Sequence, residues 1–313
     1  MINNTVTITF PVYERFDFFE EALNSALNQT VQCPIIVVDN GSSHNKFKLL
    51  CEKYQRRVKY YRNPDNIGMF PNWNRCFELA ETEYAIIVGD DDILMPTYIE
   101  EFLNVYEKHP EIGLYYTNIV FYKQIEKTSV FQEEKCNWTN IWGETRIFEL
   151  KKVSFKNSLN IPSISCIINV KLQRSVLFET RLHTANDKQF IYSLPDDTIV
   201  WGNDKELYKY RRHSGNDSTG AMLPILLSAH MLMFYDMRNY SNLTHKQKHF
   251  CYRYLLYCFF ANRKLKRMIM DSESYYTRVL KDMLSSRNAA YIILEYIPAF
   301  LVFLKRKLCR NNY

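Results

Sequence analysis

The first 120 residues alternate between short apolar runs and segments with helical spacing. The apolar runs predict strands over 5–10, 34–39, 58–63 and 112–122, and a strand followed by a loop over 84–92. Between them, apolar residues recur three and four positions apart, which predicts helices over 16–30, 46–55, 71–82 and 96–110. Alternating strands and helices predict an α/β fold, with a mainly parallel, Rossmann-like sheet flanked by helices.

The pattern changes after this alternating region. From about 123 to 220 the chain breaks into short elements with polar connections. From 221 onward the apolar positions follow a helical period. We therefore predict an α/β domain over 1–220, followed by a helical C-terminal region over 221–313.

The composition is that of a globular protein. Of 313 residues, 47% are hydrophobic and 24% are charged, and the net charge of +6 is too diffuse to indicate a nucleic-acid partner. Eight cysteines occur without a C-x-x-C pair, so we expect reduced, mostly buried thiols and no zinc site. The N-terminus lacks the basic and apolar regions of a signal peptide, which makes the cytoplasm the expected location.

Three adjacent aspartates, Asp90–Asp92, follow the apolar run "YAIIVG". Like charges repel, so such a triplet needs a reason. It either forms a solvated turn and helix cap or binds a divalent cation such as Mg²⁺ or Mn²⁺. Asp39 ends another predicted strand. Because ligands of parallel sheets bind beyond the carboxyl ends of the strands, this shared edge favours the cation.

Six segments occur in an order that resembles a known family. They are "FPVYER" (10–15), "SALNQT" (25–30), "IIVVDNGS" (35–42), "NIGMFPNWNRCFELAETEYAIIVGDDDILMP" (66–96), "TANDKQFIYSL" (184–194) and "YKYRRHSGNDS" (208–218). Together they resemble the inverting nucleotide-sugar glycosyltransferases of family 2, of bacterial polysaccharide-assembly type. The resemblance implies a GT-A fold over 1–220, with the nucleotide sugar bound by 1–120 and the acceptor side and catalytic base in 121–220.

The resemblance also implies an activity. A sugar would pass from a nucleotide donor, a UDP-sugar, to a hydroxyl of a glycan or lipid-linked glycan, with inversion and with Mn²⁺ or Mg²⁺ as cofactor. Two other functions stay open at this point. One is a nucleotidyltransferase, although "FPVYERFDFF" has no glycine and only one arginine for a triphosphate loop. The other is a non-catalytic sugar-binding module.

Eight residues match positions that contact the nucleotide sugar in the family. They are Pro11, Tyr13, Glu14, Asp39, Asn66, Gly68, Asn72 and Asp90. The resemblance places Tyr13 against the base, Asp39 on the uracil ring N–H and Asp90 on the ribose or the ion. Three of them also have a plain structural explanation: sheet-edge packing for Tyr13, a cap or turn for Asp39, and a turn for Gly68.

The resemblance assigns the metal to Asp91, Asp92 and His213, with Asp91 as the principal ligand. Arg211 or Arg212 would offset the charge of the diphosphate. The family often has an acidic residue where this chain has Gly89, which blurs the roles within the triplet. The alternative for residues 208–218 is a solvated basic loop.

Asp187 matches the catalytic base of the family. Asn186 precedes it where the family often has Glu. A general base would take the proton of the acceptor hydroxyl. The alternative is that Asp187 is an acidic residue at the N-terminus of a helix, where the helix dipole favours it.

The segment 288–310 is apolar and aromatic and then abruptly basic. Glu295 and Pro298 interrupt the apolar run, which is too short to span a bilayer. We expect a helix that lies on the inner face of the cell membrane, with the cations near anionic headgroups. A helix packed on the protein's own core and a homo-oligomer interface are the alternatives.

Overall fold

The computed structural model describes residues 2–125, 130–135, 146–149, 161, 165–178 and 186–213, and seven residues further along (249, 252, 253, 256 and 299–301). The side chains of residues 146, 186–188 and 192 lie outside the described part. The chain divides into two compact units, Met1–Thr180 with Asp187–His213, and Arg181–Asn186 with Ser214–Tyr313. The predicted assignment of 1–120 to the donor and 121–220 to the acceptor stays a prediction.

The first unit contains ten strands and six helices in its described residues. The strands are β1 (Val6–Val12), β2 (Ile35–Asp39), β3 (Val58–Arg62), β4 (Tyr84–Ile87), β5 (Ile93–Leu94), β6 (Leu114–Gln124), β7 (Phe131–Lys135), β8 (Arg146–Glu149), β9 (Ile167–Asn169) and β10 (Ile199–Arg212). The helices are α1 (Phe19–Leu27), α2 (Lys46–Glu52), α3 (Met69–Leu79), α4 (Tyr98–Tyr106), α5 (Val170–Ser175) and α6 (Asn186–Ser193).

The α/β prediction is confirmed for the first 120 residues. All five predicted strands and all four predicted helices are present, with ends that differ by a few residues. The strand and following loop predicted over 84–92 are both present: β4 ends at Ile87, and Gly89 and the aspartates leave the sheet before the short strand β5. Buried apolar residues of α1 recur with helical spacing, as the sequence pattern requires.

The sheet is mixed, and its order is β3-β2-β1-β4-β9-β6-β10-β5. Strands β1 to β4 pair in parallel. Strand β9 is antiparallel to both β4 and β6, while β10 is parallel to β6. Because β9 is antiparallel to both of its neighbours, β6 runs in the same direction as β4 and β1, and so does β10. The carboxyl ends of β1, β2, β4 and β10 therefore share one edge of the sheet.

Helices cover both faces of the sheet. Along β2, Ile35 and Val37 pack on one side, and Ile36 and Val38 pack on the other. The first side is covered by α1, α2 and α4, and the second by α3, α5 and α6. Burial on both faces explains the continuous apolar run of β2, in which all five residues are buried.

One element departs from the prediction. The segment 199–212 is a strand of 14 residues, β10, and it pairs with β5, β6 and β8. The alternative of a solvated basic loop over 208–218 is therefore wrong for residues 208–212, and residues 214–218 lie outside the described part. The strand is hard to recognise in the sequence, because apolar and charged residues alternate along it and its buried face includes an arginine, Arg211.

The C-terminal region is described at only seven positions, and all seven are helical. Of the segment 288–310, the structure describes residues 299–301 alone. Among the described helices, none is both long enough and apolar enough to cross a bilayer.

Four cysteines bear on the expectation of reduced thiols. Cys33, Cys51, Cys76 and Cys166 are free and buried, as expected. Burial raises the pKa of the first three thiols to about 12, which keeps them protonated at neutral pH.

We predict that Gly41→Ala destabilises the protein more than Gly68→Ala does. Both glycines have a positive φ, +79° and +95°, so alanine costs about 1–3 kcal/mol of backbone strain at either position. A Cβ at Gly41 would also lie 2.7 Å from the carbonyl carbon of Asp65, whereas one at Gly68 meets nothing closer than 3.5 Å. Urea unfolding of the two variants measures the difference, and equal losses would contradict the steric argument.

Candidate active site

Apart from Asp187, whose side chain lies outside the described part, the predicted site residues lie at or near the carboxyl edge of the sheet. They lie at the ends of β1, β2 and β10, after β4, and from the end of β3 into α3, and they form two groups. The β2 group surrounds Asp39 at the end of β2, and a charged group lies beyond the end of β4. Strand β1 lies between β2 and β4, so two strand spacings, about 10 Å, separate these two strand ends.

Asp39 is at the centre of the β2 group. Its side chain is fully buried, and its Oδ1 accepts hydrogen bonds from the Ser42 backbone N–H at 2.9 Å and from Ser42 Oγ at 2.6 Å. Its Oδ2 accepts a hydrogen bond from the Tyr60 hydroxyl at 2.6 Å. Burial and this bond to Asp39 raise the pKa of Tyr60. The turn role considered for Asp39 is therefore present in the structure.

Four asparagines connect the end of β2 to α3. Asn63 Nδ2 donates to Oδ1 of both Asn40 and Asn72, at 3.0 and 2.9 Å. Asn40 Nδ2 donates to Asn66 Oδ1 at 2.8 Å and to the Gly68 carbonyl at 3.2 Å. This amide network holds the loop before α3 and gives the predicted donor-binding residues Asn66, Gly68 and Asn72 fixed positions.

The end of β1 and the loop after it carry the other predicted base-side residues. Pro11 pairs with Val38 in the parallel β1–β2 ladder, and the Tyr13 side chain is 44% exposed. Glu14 has φ +55°, and its carboxylate accepts hydrogen bonds from the Ser43 N–H at 2.7 Å and from Ser43 Oγ at 2.9 Å. These bonds lower the pKa of Glu14 and fasten this loop to the turn after β2.

The charged group contains the first two aspartates of the triplet. Arg15 Nη2 donates to Asp90 Oδ1 and lies 3.0 Å from Asp91 Oδ2. His213, the first residue after β10, places its Nε2 2.9 Å from Asp91 Oδ2 and 3.5 Å from Arg15 Nη1. The structure thus brings together two of the three predicted metal ligands, Asp91 and His213.

Burial controls the protonation of this group. It raises the pKa of Asp90 to about 6, although the nearby Arg15 opposes the shift. Burial also lowers the pKa of Arg15, but the charges of Asp90 and Asp91 outweigh it and the net shift is upward. Arg15 therefore stays protonated and supplies the positive charge that the carboxylates face.

Asp92 is separate from this group. Its side chain is 1% exposed, and its Oδ1 accepts the Arg211 backbone N–H at 2.9 Å. Its Oδ2 accepts the Tyr208 hydroxyl at 2.6 Å. Burial and the neighbouring Asp91 raise the pKa of Asp92 well above its usual value. Both carboxylate oxygens thus join the loop after β4 to β10.

Arg211 supports the same loop from the side. Its side chain is 2% exposed, its Nε donates to the Asp91 carbonyl at 2.6 Å, and its Nη2 pairs with Glu21 Oε2 at 2.5 Å. The guanidinium carbon lies 4.6–4.8 Å from three ring centroids, those of Phe18, Tyr122 and Phe131. We call these three rings the aromatic box.

Arg212 points the other way. Successive side chains of a strand alternate between its faces, and the Arg212 guanidinium lies over the Phe121 ring at 4.8 Å. The sequence suggested either arginine for the diphosphate. The strand separates them, so the two cannot line one phosphate together.

Asp187 lies in the first turn of α6. The helix proposed in the alternative explanation is therefore present. The side chain of Asp187 lies outside the described part of the chain.

Several site residues were not singled out from the sequence. Arg15 lies in the quoted segment "FPVYER". It could have been identified from the sequence, because the predicted topology places its positive charge at the same sheet edge as the carboxylate cluster. Tyr208 and the aromatic box carried no such signal, because the chain contains 23 tyrosines and 20 phenylalanines. Only the pairing of β10 with β6 brings Arg211 next to Tyr122.

Comparison with known proteins agrees with this geometry. The family model described as Glycosyl transferase family 2 matches residues 7–170. An uncharacterized glycosyltransferase of Methanocaldococcus jannaschii is 22% identical over 285 residues, which cover 89% of this chain and 93% of that protein. The minor teichoic acid biosynthesis protein GgaB of Bacillus subtilis is 22% identical over 226 residues, or 70% of this chain and 24% of GgaB.

A solved structure shares the fold. The crystal structure of S. aureus TarS 1-349 in complex with UDP-GlcNAc superposes with a TM-score of 0.62 at 16% sequence identity. The match covers 96% of this chain and 81% of that one. The GT-A fold predicted from the motifs is thereby confirmed.

We predict that Arg211→Lys destabilises the protein by at least about 2 kcal/mol, because an ammonium cannot stack in the aromatic box and leaves buried acceptors unpaired. The matched control is Arg212→Lys, which lies on the other face and is expected to cost less than about 1 kcal/mol. Urea unfolding measures both. Equal losses would show that the box does not hold this part of the sheet.

Proposed function

The chain belongs to glycosyl transferase family 2, and from this membership we propose that it moves a sugar from a UDP-sugar to a hydroxyl group with inversion at the anomeric carbon. The observation that carries the proposal is the edge at the carboxyl ends of the strands, where the β2 group around Asp39 and the charged group lie about 10 Å apart. A nucleoside diphosphate has two ends that would match these two groups. It carries a base that forms directed hydrogen bonds and a diphosphate that needs positive charge.

We assign the base to the group around β2. Asp39 uses three acceptor positions within the protein, and a carboxylate offers about four, so one more hydrogen bond can come from the uracil ring N–H. Tyr13 is exposed beside it and can pack on the base. Pro11, Glu14, Asn66, Gly68 and Asn72 would shape this end, and Asp90 would bind the ribose.

We propose that Asp91 and His213 hold a divalent cation. Their ligand atoms, Asp91 Oδ2 and His213 Nε2, lie side by side in the charged group, 2.9 Å apart. A carboxylate and an imidazole suit Mn²⁺ or Mg²⁺ with phosphate as a further ligand. Within the described ranges there is no cluster of three or more His, Cys, Asp or Glu side chains that could hold a metal, so the donor's phosphates would complete the coordination.

Two predicted roles change in this proposal. Asp92 has both oxygens engaged by β10, so we propose that it anchors the loop and does not ligate the ion. Arg211 is buried with its N–H groups paired, so we propose that it positions Asp91 and does not touch the diphosphate. Arg212 remains the arginine proposed for a phosphate contact.

The reaction would be a single displacement. The acceptor oxygen attacks the anomeric carbon from the face opposite the leaving group, and the bond from that carbon to the phosphate oxygen breaks. Asp187 takes the acceptor's hydroxyl proton as general base, and UDP departs with the bonding electron pair. A bound cation would stabilise the charge of the departing diphosphate. Asp91 and His213 would hold it in place, while Asp39 fixes the base.

The acceptor is proposed from the relatives' names. GgaB is named for minor teichoic acid biosynthesis, and the TarS complex contains UDP-GlcNAc. We therefore propose a surface polysaccharide or lipid-linked glycan as acceptor and a UDP-hexose or UDP-N-acetylhexosamine as donor. The segment 288–310 would place the enzyme at the inner face of the membrane, where such acceptors are assembled.

The family match decides against the two alternative functions, and one assay tests all three. A panel of sugar nucleotides is incubated with the protein, Mn²⁺ and an acceptor mixture, and the products are separated. Release of UDP together with a glycosylated product supports the proposal. Release of pyrophosphate would indicate a nucleotidyltransferase, and saturable sugar binding without turnover would indicate a binding module.

We predict that Asp91→Ala abolishes transfer and Mn²⁺-dependent binding of the donor, because it removes a carboxylate ligand, while the fold is kept. Asp196→Ala, a change at an exposed aspartate, is the control. Donor binding is measured by calorimetry with and without Mn²⁺. Unchanged turnover of Asp91→Ala in excess Mn²⁺ would exclude Asp91 as a ligand.

We predict that Asp187→Asn lowers kcat by at least about a hundredfold, the scale of general-base catalysis, and leaves donor affinity nearly unchanged. Asp196→Asn should retain full activity. Steady-state kinetics and donor titration separate the two effects. If donor binding collapses in step with the rate, Asp187 is a structural or binding residue, as the helix-terminus explanation holds.

A further inference from the structure

One arginine lies against both proposed metal ligands. Arg15 Nη2 lies 3.0 Å from Asp91 Oδ2, and Arg15 Nη1 lies 3.5 Å from His213 Nε2. These are the same two ligand atoms that would bind the divalent cation. Arg15 Nη2 also donates to Asp90 Oδ1, so the guanidinium contacts all three members of the charged group.

The guanidinium and a divalent cation exclude each other. Arg15 cannot give up its charge to make room, because an arginine stays protonated in proteins. A second cation at Asp91 and His213 would meet this charge at close range, where the two repel strongly. Entry of the metal therefore requires the Arg15 side chain to move.

The Arg15 side chain can move while its backbone stays in place. Its backbone N–H is held by the Tyr13 carbonyl at 2.6 Å, and the preceding Glu14 is fixed by its two bonds to Ser43. The side chain is 32% exposed, which leaves it a path toward the crevice. Its Nε is buried without a hydrogen-bond partner among the described residues, so its present position is incompletely satisfied.

We propose that Arg15 is an internal counter-cation that fills the metal position in the donor-free enzyme and is displaced when the metal binds with the donor. The diphosphate then supplies the negative charge that the displaced guanidinium loses at Asp90 and Asp91. Metal alone would bind weakly, and metal with nucleotide would bind tightly. Arg15 would thus couple the two ligands thermodynamically. The proposal rests on the metal site of the proposed function.

The test measures binding of Mn²⁺ alone, without nucleotide or turnover. Free Mn²⁺ is followed by electron paramagnetic resonance in the wild type, in Arg15→Met and in the matched control Arg75→Met, whose arginine pairs on the surface with Glu78. Arg15→Met is expected to bind Mn²⁺ at least about tenfold more tightly than the wild type, within the usual range of such couplings. Arg75→Met should match the wild type. An unchanged or weaker affinity in Arg15→Met overturns the proposal.

A second titration, with saturating UDP, measures the coupling itself. UDP should raise the Mn²⁺ affinity of the wild type, and it should raise that of Arg15→Met by a clearly smaller factor. Equal factors overturn the counter-cation role. Failure of the metal site differs from both results, because the wild type would then bind no Mn²⁺ even with UDP.

Folding of the variants is checked first by circular dichroism, because removal of Arg15 leaves carboxylates unpaired. If Arg15→Met does not fold, Arg15→Lys decides the question. It keeps the charge but cannot reach two carboxylates as a fork, so its Mn²⁺ affinity should exceed that of the wild type. An affinity equal to or below that of the wild type overturns the proposal.

Discussion

The neutralisation of three adjacent carboxylates is the constraint on which the rest of the site depends. Asp90–Asp92 follow a buried strand, where unpaired charges would strongly destabilise the fold. Arg15 arrives from the loop after β1, and β10 supplies hydrogen-bond donors and His213. The partners thus come from two places, the loop after β1 and the end of β10. The triplet therefore fixes how β1, β4 and β10 meet at the carboxyl edge.

The three aspartates have different roles because their surroundings differ. Asp92 is satisfied by β10 and serves the fold, whereas Asp90 and Asp91 face Arg15, a cation that can be exchanged. A rigid anchor beside an exchangeable pair allows the charged group to change its cation without loosening the loop. The aromatic box around Arg211 supports this arrangement from behind.

The β2 group at the other end of the edge is built differently. Asparagine amides and the bonds to Asp39 hold it, and no change of charge is needed there. Its parts lie on neighbouring elements, β2, β3 and α3, and the quoted segments 35–42 and 66–96 already contained most of it. Two residues of this network, Asn40 and Asn63, were still missed, because a buried amide and a turn asparagine look alike in a sequence.

The sequence by itself determined the α/β alternation, the edge at which the site lies and the candidate residues that follow β1, β2 and β4. These features depend on local burial and on chain direction, and both are written in the spacing of apolar residues. The tertiary structure alone showed that 199–212 is a strand and that Asp92 is an anchor, whereas the family resemblance had already grouped Asp91 with His213. The last two residues are 122 positions apart. Their contact depends on the two antiparallel steps through β9, which turn β6 and β10 back to the direction of β1, and no local pattern encodes that order.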